Sequence, residues 1–384
     1  MKKLWKLLGA VLRFLGLQNI ILIEAESAKR ENTEAVFREM IRRGWNKRYQ
    51  IVLAAYDPMP RTDRAEKRVS VVRRPVYGDN WAPVMQMRWL RLRARLIVDE
   101  NHQISKRDPK TTHVYLSHGS CVKSVREYYN CEPDTDYMLS QSKFWDPVNE
   151  YELRISRDRL VTLGFPRNDV LFSSELDPEK LFGKRYEKTI VWYPTYRQFR
   201  GHSELGLQHA DFGIPVIHDE AAARQINEYA AKRNVLLVVK PHPAQDVAFL
   251  RDLHLDHLIM VDDQFFLDHH TTDYAFLAKA DALITDYSSV VFDYLLTQNP
   301  IALTHEDFEE YKKQIGFAID MDLLRSSATM LNTPEDFDAF FRDLVAGNDP
   351  LREKRLALMH LTNQYTDGHS TKRVVDWLET LLKR

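Results

Sequence analysis

The chain has 384 residues, 54 Lys and Arg against 55 Asp and Glu, and a net charge of −1. This exceeds one ordinary domain of roughly 100–200 residues and fits two, while 44% hydrophobic and 28% charged residues are typical of a packed globular protein. The balance excludes a global pull toward nucleic acid, the two cysteines, Cys121 and Cys131, exclude a cysteine-rich metal or disulfide framework, and there is no run of about eighteen apolar residues to cross a membrane.

Residues 2–17 set Lys2, Lys3, Lys6 and Arg13 among Leu4, Trp5, Leu7, Leu8, Val11, Leu12, Phe14 and Leu15, with no acid before Glu24. A signal peptide shares the basic start and apolar centre, but Arg13 interrupts the apolar stretch and no small-x-small cleavage site precedes Ile20. The pattern predicts an amphipathic helix over 1–18 on an anionic membrane surface; a helix packed on its own domain is the alternative. From Ile20 onward short β-rich runs alternate with helical ones: Ile20–Ile23, Glu34–Arg43, Ile51–Ala55, then a basic, proline-punctuated stretch from Arg61 to Pro83. A helix near Met85–Ala94 places Arg88, Arg91 and Arg95 on one face, either simply solvated or directed at lipid headgroups. Further strands follow at Leu96–Asp99, His113–Ser117, Tyr137–Ser140 and Arg159–Leu163. A break near Ser173–Lys184, with Asp177-Pro178 and Gly183, ends a first domain over 19–180. The second, 181–384, carries strands at Thr189–Tyr193, Val235–Lys240, His257–Val261, Ala282–Thr285 and Ile301–Leu303, with a charged helical tail from Pro334. Such alternation predicts an α/β fold of parallel sheets with helices on both faces.

Ligands of open α/β sheets bind beyond the carboxyl ends of strands, and five polar clusters sit there. His118-Gly119-Ser120 follows the strand His113–Ser117; a histidine with an ordinary pKa near 6.5 suits proton abstraction from a hydroxyl, although a plain glycine turn explains the same residues. Gly164-Phe165-Pro166-Arg167-Asn168-Asp169 forms a turn in which Asn168 or Asp169 can cap a helix starting at Val170, leaving Arg167 unexplained. Tyr193-Pro194-Thr195-Tyr196-Arg197 offers a guanidinium suited to phosphate, and Lys240-Pro241-His242-Pro243 offers two cations. Thr285-Asp286-Tyr287-Ser288-Ser289 precedes a helix over Val290–Gln298, whose start can be capped by Asp and Ser or can hold an anion with its free N–H groups. Asp320-Met321-Asp322 and Asp134-Thr135-Asp136 have a D-x-D spacing, but neither follows a convincing strand, and the adjacent histidines of Asp268-His269-His270 face opposite ways in an extended segment; neither a metal nor another cofactor is expected.

Taken in order, these five clusters, the last extended through Val290-Val291-Phe292-Asp293, Asn299-Pro300-Ile301 and Glu309-Glu310-Tyr311, resemble the motif series of the CDP-glycerol glycerophosphotransferases. The resemblance implies a GT-B-like fold, two Rossmann-like domains facing across a cleft. It also implies peripheral attachment to the cytoplasmic face of the membrane, and synthesis of a teichoic-acid-like or capsular polymer. It makes His118 the proposed catalytic base, places Gly119, Ser120, Asn168 and Asp169 on the acceptor side, and puts Arg167, Arg197, Lys240, His242, Asp286, Ser288 and Ser289 around the donor. Ser120 stands where the family usually has Thr, and Phe165 where it often has Tyr. The segment between Cys121 and Met138 lacks the long lysine-rich insertion of polymerising members, which leaves the acceptor open.

The implied partners are CDP-glycerol or a related CDP-polyol, a polyprenyl-linked or polymer acceptor and an anionic membrane surface, with no nucleic acid. A GT-B glycosyltransferase using a nucleotide sugar is the nearest alternative, since fold alone does not fix chemistry. A non-catalytic, membrane-attached nucleotide-binding subunit is another.

Overall fold

The computed structural model describes residues 16–25, 32–56, 67–76, 81–101, 108–131, 134–195, 214–242, 245 and 248–383. Residues 1–15, which carry most of the expected membrane-surface helix, lie outside these, as do Arg197 and Pro243. Among the described residues no helix is long and apolar enough to cross a membrane.

The apolar runs form strands of two sheets in which every ladder is parallel. The first has seven strands: β1 (Gln18–Glu24), β2 (Gln50–Ala55), β3 (Val69–Arg73), β4 (Ala94–Asp99), β5 (Thr112–Tyr115), β6 (Tyr137–Ser140) and β7 (Leu160–Thr162), in the order β3-β2-β1-β4-β5-β6-β7. The second has six: β8 (Lys188–Tyr193), β9 (Val235–Val239), β10 (Leu258–Met260), β11 (Ala282–Thr285), β12 (Ile301–Leu303) and β13 (Thr329–Met330), in the order β10-β9-β8-β11-β12-β13. Each sheet grows outward in both directions from its first strand, the order of Rossmann folds. β3 and β13 were not legible as strands, the first because it lies within the basic, proline-rich stretch.

Parallel strands are buried on both faces, which is why they read as continuous apolar runs. In the first sheet Ile21, Ile23, Leu53, Leu96 and Val98 pack under α1 (Asn32–Arg42) and a closing helix at Ser370–Leu382, while Ile20, Leu22, Val52 and Ala54 face Met87 and Leu90 of α2 (Trp81–Arg93). In the second, Ile190, Trp192 and Leu237 pack with Ile226 and Ala230 of α3 (Glu220–Lys232). Beyond β11 lies the short α4 (Val290–Tyr294), and Phe337 and Phe341 of α5 (Pro334–Ala346) complete that core.

Contacts divide the chain into two units that differ from the expected 19–180 and 181–384. The first comprises the chain up to Ser120, Tyr128–Asp169 and Asp367–Arg384; the second comprises Cys121–Glu127 and Val170–Thr366. The closing helix returns to the first unit because its apolar stripe, Val374, Val375, Leu378 and Leu382, completes that unit's core. Its first turn is held by Asp169, whose carboxylate accepts the Ser370 and Thr371 N–H groups, each at 2.8 Å. Asp169 therefore binds the start of a distant helix, where the sequence suggested a cap for Val170.

The basic face expected on α2 is also used internally. Arg91 donates twice to Glu24, at 2.7 Å each, and Arg95, already in β4, donates to the Leu382 carbonyl at 2.9 Å. Among the residues α2 shows to solvent are Trp81 and Trp89, 77% and 39% exposed, with Gln86 and Arg88 between them.

Gly164 lies where the closing helix comes nearest to the Gly164–Asp169 turn. Its φ is +77°, and a Cβ there would lie 2.3 Å from Ser370 Oγ. Gly164→Ala is expected to lower unfolding free energy by about 2–5 kcal/mol, combining left-handed strain with overpacking. The additional change Ser370→Gly should restore the packing part alone. Chemical denaturation of the three proteins checks this; a wild-type midpoint for Gly164→Ala would refute the close approach.

Candidate functional site

In the second unit, β8 and β11 are the neighbours from which the strand order runs in opposite directions, the place where such sheets bind ligands. The loops after these strands are joined. Asp286 is fully buried, and its carboxylate accepts the Thr195 N–H at 2.9 Å and the Thr195 hydroxyl as well as the Tyr287 N–H. From below, the Thr285 hydroxyl donates to the Tyr193 carbonyl at 2.7 Å. On the other side His305 Nε2 lies 3.0 Å from the Asp286 carbonyl. Burial lowers the His305 pKa, so the ring is neutral and donates through this nitrogen. Asp286 thus fixes the loop as a positioning residue, where direct donor contact was expected.

The serines beyond it are half-buried. Ser289 stands at the N-cap of α4, yet among the described residues it makes no side-chain cap bond; Ser288 Oγ accepts only a long 3.4 Å bond from the Val290 N–H. Helix capping, the simplest reading of these serines, does not occupy the Ser289 hydroxyl. The expected helix Val290–Gln298 divides into α4 and a tighter 3₁₀ turn at Leu295–Thr297.

Lys240, also expected at the donor, lies 3.0 Å from Asp263 and 3.7 Å from Asp273, with its ammonium over the Tyr193 ring. Two carboxylates neutralise it, so it braces the β9 end against its neighbours. His242 is exposed and its carbonyl accepts the Gln245 N–H at 2.8 Å.

In the first unit the His118 loop is shaped by its backbone. Buried Ser117 has φ 66°, a left-handed conformation unusual for a residue with a side chain. Gly119 has φ 146°, which only glycine adopts readily. The Ser117 hydroxyl spans the turn, accepting from the Gly119 N–H at 3.2 Å. His118 between them is exposed. Arg167, 7% exposed, donates to the His118 carbonyl at 2.9 Å. Arg167 is thus bonded to the His118 loop of its own unit. The Ser120 hydroxyl donates to Gln141, and Asn168 is buried with its N–H on the Phe165 carbonyl at 3.0 Å.

Asn32, which the sequence reading passed over, ties this site together. Fully buried at the start of α1, it donates to the Ser117 carbonyl at 2.9 Å and accepts the Arg167 N–H at 3.0 Å. An Asn before an apolar-periodic run signals a helix start; its reach across the sheet has no local signature. The D-x-D pairs are used structurally: the Asp136 carboxylate accepts the His113 N–H at 2.8 Å, and Asp320 accepts the Asp322 N–H at 3.0 Å.

The profile of the CDP-glycerol:poly(glycerophosphate) glycerophosphotransferase family matches residues 13–380. A teichoic acid glycerol-phosphate transferase of Staphylococcus aureus is 22% identical over 298 residues, 70% of this chain and 71% of that protein. A teichoic acid ribitol-phosphate primase of Bacillus spizizenii is 25% identical over 262 residues, 64% of this chain and 60% of the relative. The ribitol-phosphate polymerase TarL of Staphylococcus aureus is 28% identical over 230 residues, and the match spans only 37% of its length. Among solved structures, the wall teichoic acid polymerase TagF superposes with a TM-score of 0.73 at 14% identity, covering 98% of this chain and 93% of that one. The shared fold is GT-B-like.

A buried pair lies beneath the His118 loop, at the other end of β5. His113 Nε2 is 3.0 Å from Asp99 Oδ1 and Nδ1 is 2.8 Å from the Asp134 carbonyl, so acceptors face both ring nitrogens. Burial opposes the charged ring, but the Asp99 carboxylate and these hydrogen bonds outweigh it and raise the pKa above the ordinary histidine value. A raised folded pKa contributes stability that is fully present below the unfolded value of about 6.5 and is lost as pH rises through the folded value. Denaturation midpoints are therefore expected to fall from about pH 6.5 upward, and Asp99→Asn should remove that dependence. An unchanged pH slope in Asp99→Asn would place the titration elsewhere.

Proposed function

This chain belongs to the CDP-glycerol:poly(glycerophosphate) glycerophosphotransferase family, and on that premise we propose how its residues transfer a polyol phosphate from a CDP-linked donor to an acceptor hydroxyl in teichoic-acid-like polymer synthesis. The acceptor oxygen attacks the β-phosphorus in line. The new P–O bond forms as the bond to the bridging pyrophosphate oxygen breaks, CMP leaves, and the hydroxyl proton passes to the His118 imidazole. Phosphoryl transfer of this kind depends on positioning and on donors facing the developing charge.

The observation that carries the assignment is the pair of joined loops at the switch point of the second sheet, with the Ser289 hydroxyl at a helix start and not spent on capping. Ser288, Ser289, His242 and Arg197 face the diphosphate in this reading, with Asp286 and Lys240 holding the loops. His118, Gly119, Ser120 and Asn168 form the acceptor side, with Arg167 and Asp169 bracing it. The acceptor is a polyprenyl-linked or polymer chain end. A nucleotide-sugar transferase would release a nucleoside diphosphate and a binding subunit would release nothing, so CMP release from CDP-glycerol or CDP-ribitol separates the three readings.

His118→Ala should lower kcat by roughly 10²–10⁴-fold, the usual share of general acid–base catalysis, with CDP affinity little changed. Ser289→Ala should weaken CDP binding by about 0.5–3 kcal/mol, one hydrogen bond to a charged group. Calorimetric titration of CDP beside initial rates distinguishes them; near wild-type turnover by His118→Ala would make the histidine structural.

Peripheral attachment to the cytoplasmic face of the membrane is supported by the basic, apolar pattern of residues 2–17 and by exposed Trp81, Arg88 and Trp89 on α2, which has no acidic residue. Tryptophans favour the headgroup level and arginines favour anionic lipid. The full chain should sediment with vesicles containing phosphatidylglycerol, less so in high salt, and a chain beginning at Asn19 should bind more weakly. Equal binding by both would assign attachment to another surface.

A further inference from the structure

In the second sheet β12 pairs with β11 so that Leu303 lies against Thr285, and the next residue, Thr304, donates its N–H to the Thr285 carbonyl at 2.9 Å. This register brings His305 beside the start of the donor loop. Its ring stacks on Tyr287 at 4.7 Å and on Phe308 at 5.7 Å, and its Nε2 meets the Asp286 carbonyl. Tyr287 stacks in turn on Tyr311 at 3.9 Å, and its hydroxyl donates to Asp307 at 2.7 Å. One imidazole thus touches the loop twice, at Asp286 and at Tyr287, immediately before Ser288 and Ser289.

The other ring nitrogen is not satisfied. Nδ1 is buried and makes no hydrogen bond, in a residue only 4% exposed. Because Nε2 faces a carbonyl, it holds the single proton of the neutral ring, and a second proton would have to sit on Nδ1 with no acceptor before it. The surrounding charges do not compensate. Burial opposes the charged ring, and so does Arg325, whose guanidinium lies over the Phe308 ring at 4.3 Å; the Asp286 carbonyl and the Asp286 and Asp307 carboxylates favour it and are outweighed. The adjacent Glu306 is engaged elsewhere, with the Val216 N–H at 2.8 Å and His218 at 2.9 Å.

We infer that His305 is a positioning residue for donor binding: while neutral it pins the Asp286–Ser289 loop at the carboxyl end of β11, and on taking up a proton it releases that loop. A charged ring without a partner is costly to keep buried. When it moves toward water, Asp286 loses a hydrogen bond and Tyr287 a stacking face, so the donor-binding form of the loop becomes one state among several. Donor affinity therefore falls in acid, by at most about tenfold per pH unit below the ordinary histidine value of about 6.5, the limit for one linked proton. The inference rests on the proposed placement of the donor at Ser288 and Ser289.

The probe is CDP-glycerol without acceptor, titrated calorimetrically at about pH 7.5 and about pH 5.5, either side of the ordinary histidine value. CDP itself is unsuitable, since a terminal phosphate takes up a proton near pH 6, whereas both phosphates of CDP-glycerol are diesters. His305→Gln keeps an N–H donor for the Asp286 carbonyl but does not titrate. It should bind within about threefold of wild type at the higher pH, and the wild type should lose roughly 3- to 10-fold more affinity than this variant at the lower pH. His305→Phe keeps a ring in the stack and loses the donor, so it should bind about 2- to 10-fold more weakly at the higher pH, with the same shallower pH dependence. Should the glutamine variant fail to fold, the phenylalanine variant decides alone. Affinities that fall in parallel in wild type and variants would overturn the inference, because His242 and every other titrating group are common to all three. Failure of the wild type to bind CDP-glycerol at either pH would overturn the donor reading itself, and the inference with it.

Discussion

A parallel sheet can leave neither face to water, and this constraint orders the whole molecule. Each strand must be followed by a crossover that covers a face and returns to the starting edge, so every strand runs the same way and the loops at the carboxyl ends accumulate on one side of each sheet. The polar clusters after β5, β8, β9 and β11 are gathered by that rule before any of them makes a specific contact. Both sheets begin at an interior strand and grow outward in two directions, which leaves a place between diverging loops where a ligand meets little covering backbone.

Within those loops, many of the charged residues act on the protein itself. Asp286 holds the Thr195 loop, Arg167 the His118 carbonyl, Asp169 the closing helix, and Lys240 is neutralised by Asp263 and Asp273. Each would cost free energy if buried without its partner, so these residues specify one loop conformation, while their neighbours His118, His242, Ser288 and Ser289 are exposed or half-buried. A motif rich in charge is in this protein as much a scaffold as a set of ligand contacts.

That mixture explains what the sequence could and could not disclose. Strands such as Ile20–Ile23 and Ala282–Thr285 are legible because a doubly buried strand must be apolar along its length, and the clusters after them are legible because turns need Gly, Pro, Asp and Ser. The partner of a buried polar group is set by tertiary packing and leaves no local trace. Asp169 looked like a cap for Val170 and instead meets Ser370; Asn32 looked like an ordinary helix start and joins two loops; Arg91 looked like part of a surface stripe and is committed to Glu24. The segment Cys121–Glu127 falls within the first domain expected from sequence, because sequence neighbourhood gives no sign that a segment changes allegiance for seven residues.

The return of the closing helix to the first unit bears on synthesis as well as stability. On a ribosome the domain nearer the N-terminus usually folds first. Here Val374, Val375, Leu378 and Leu382 are part of the first unit's core, beside Val36, Phe37 and Met40 of α1, so part of one face of its sheet stays uncovered until the closing helix has been made. The second unit, complete by Thr366, is assembled earlier. The first-translated half is thus the last to be finished, and its core closes only when a segment more than two hundred residues further along the chain is added.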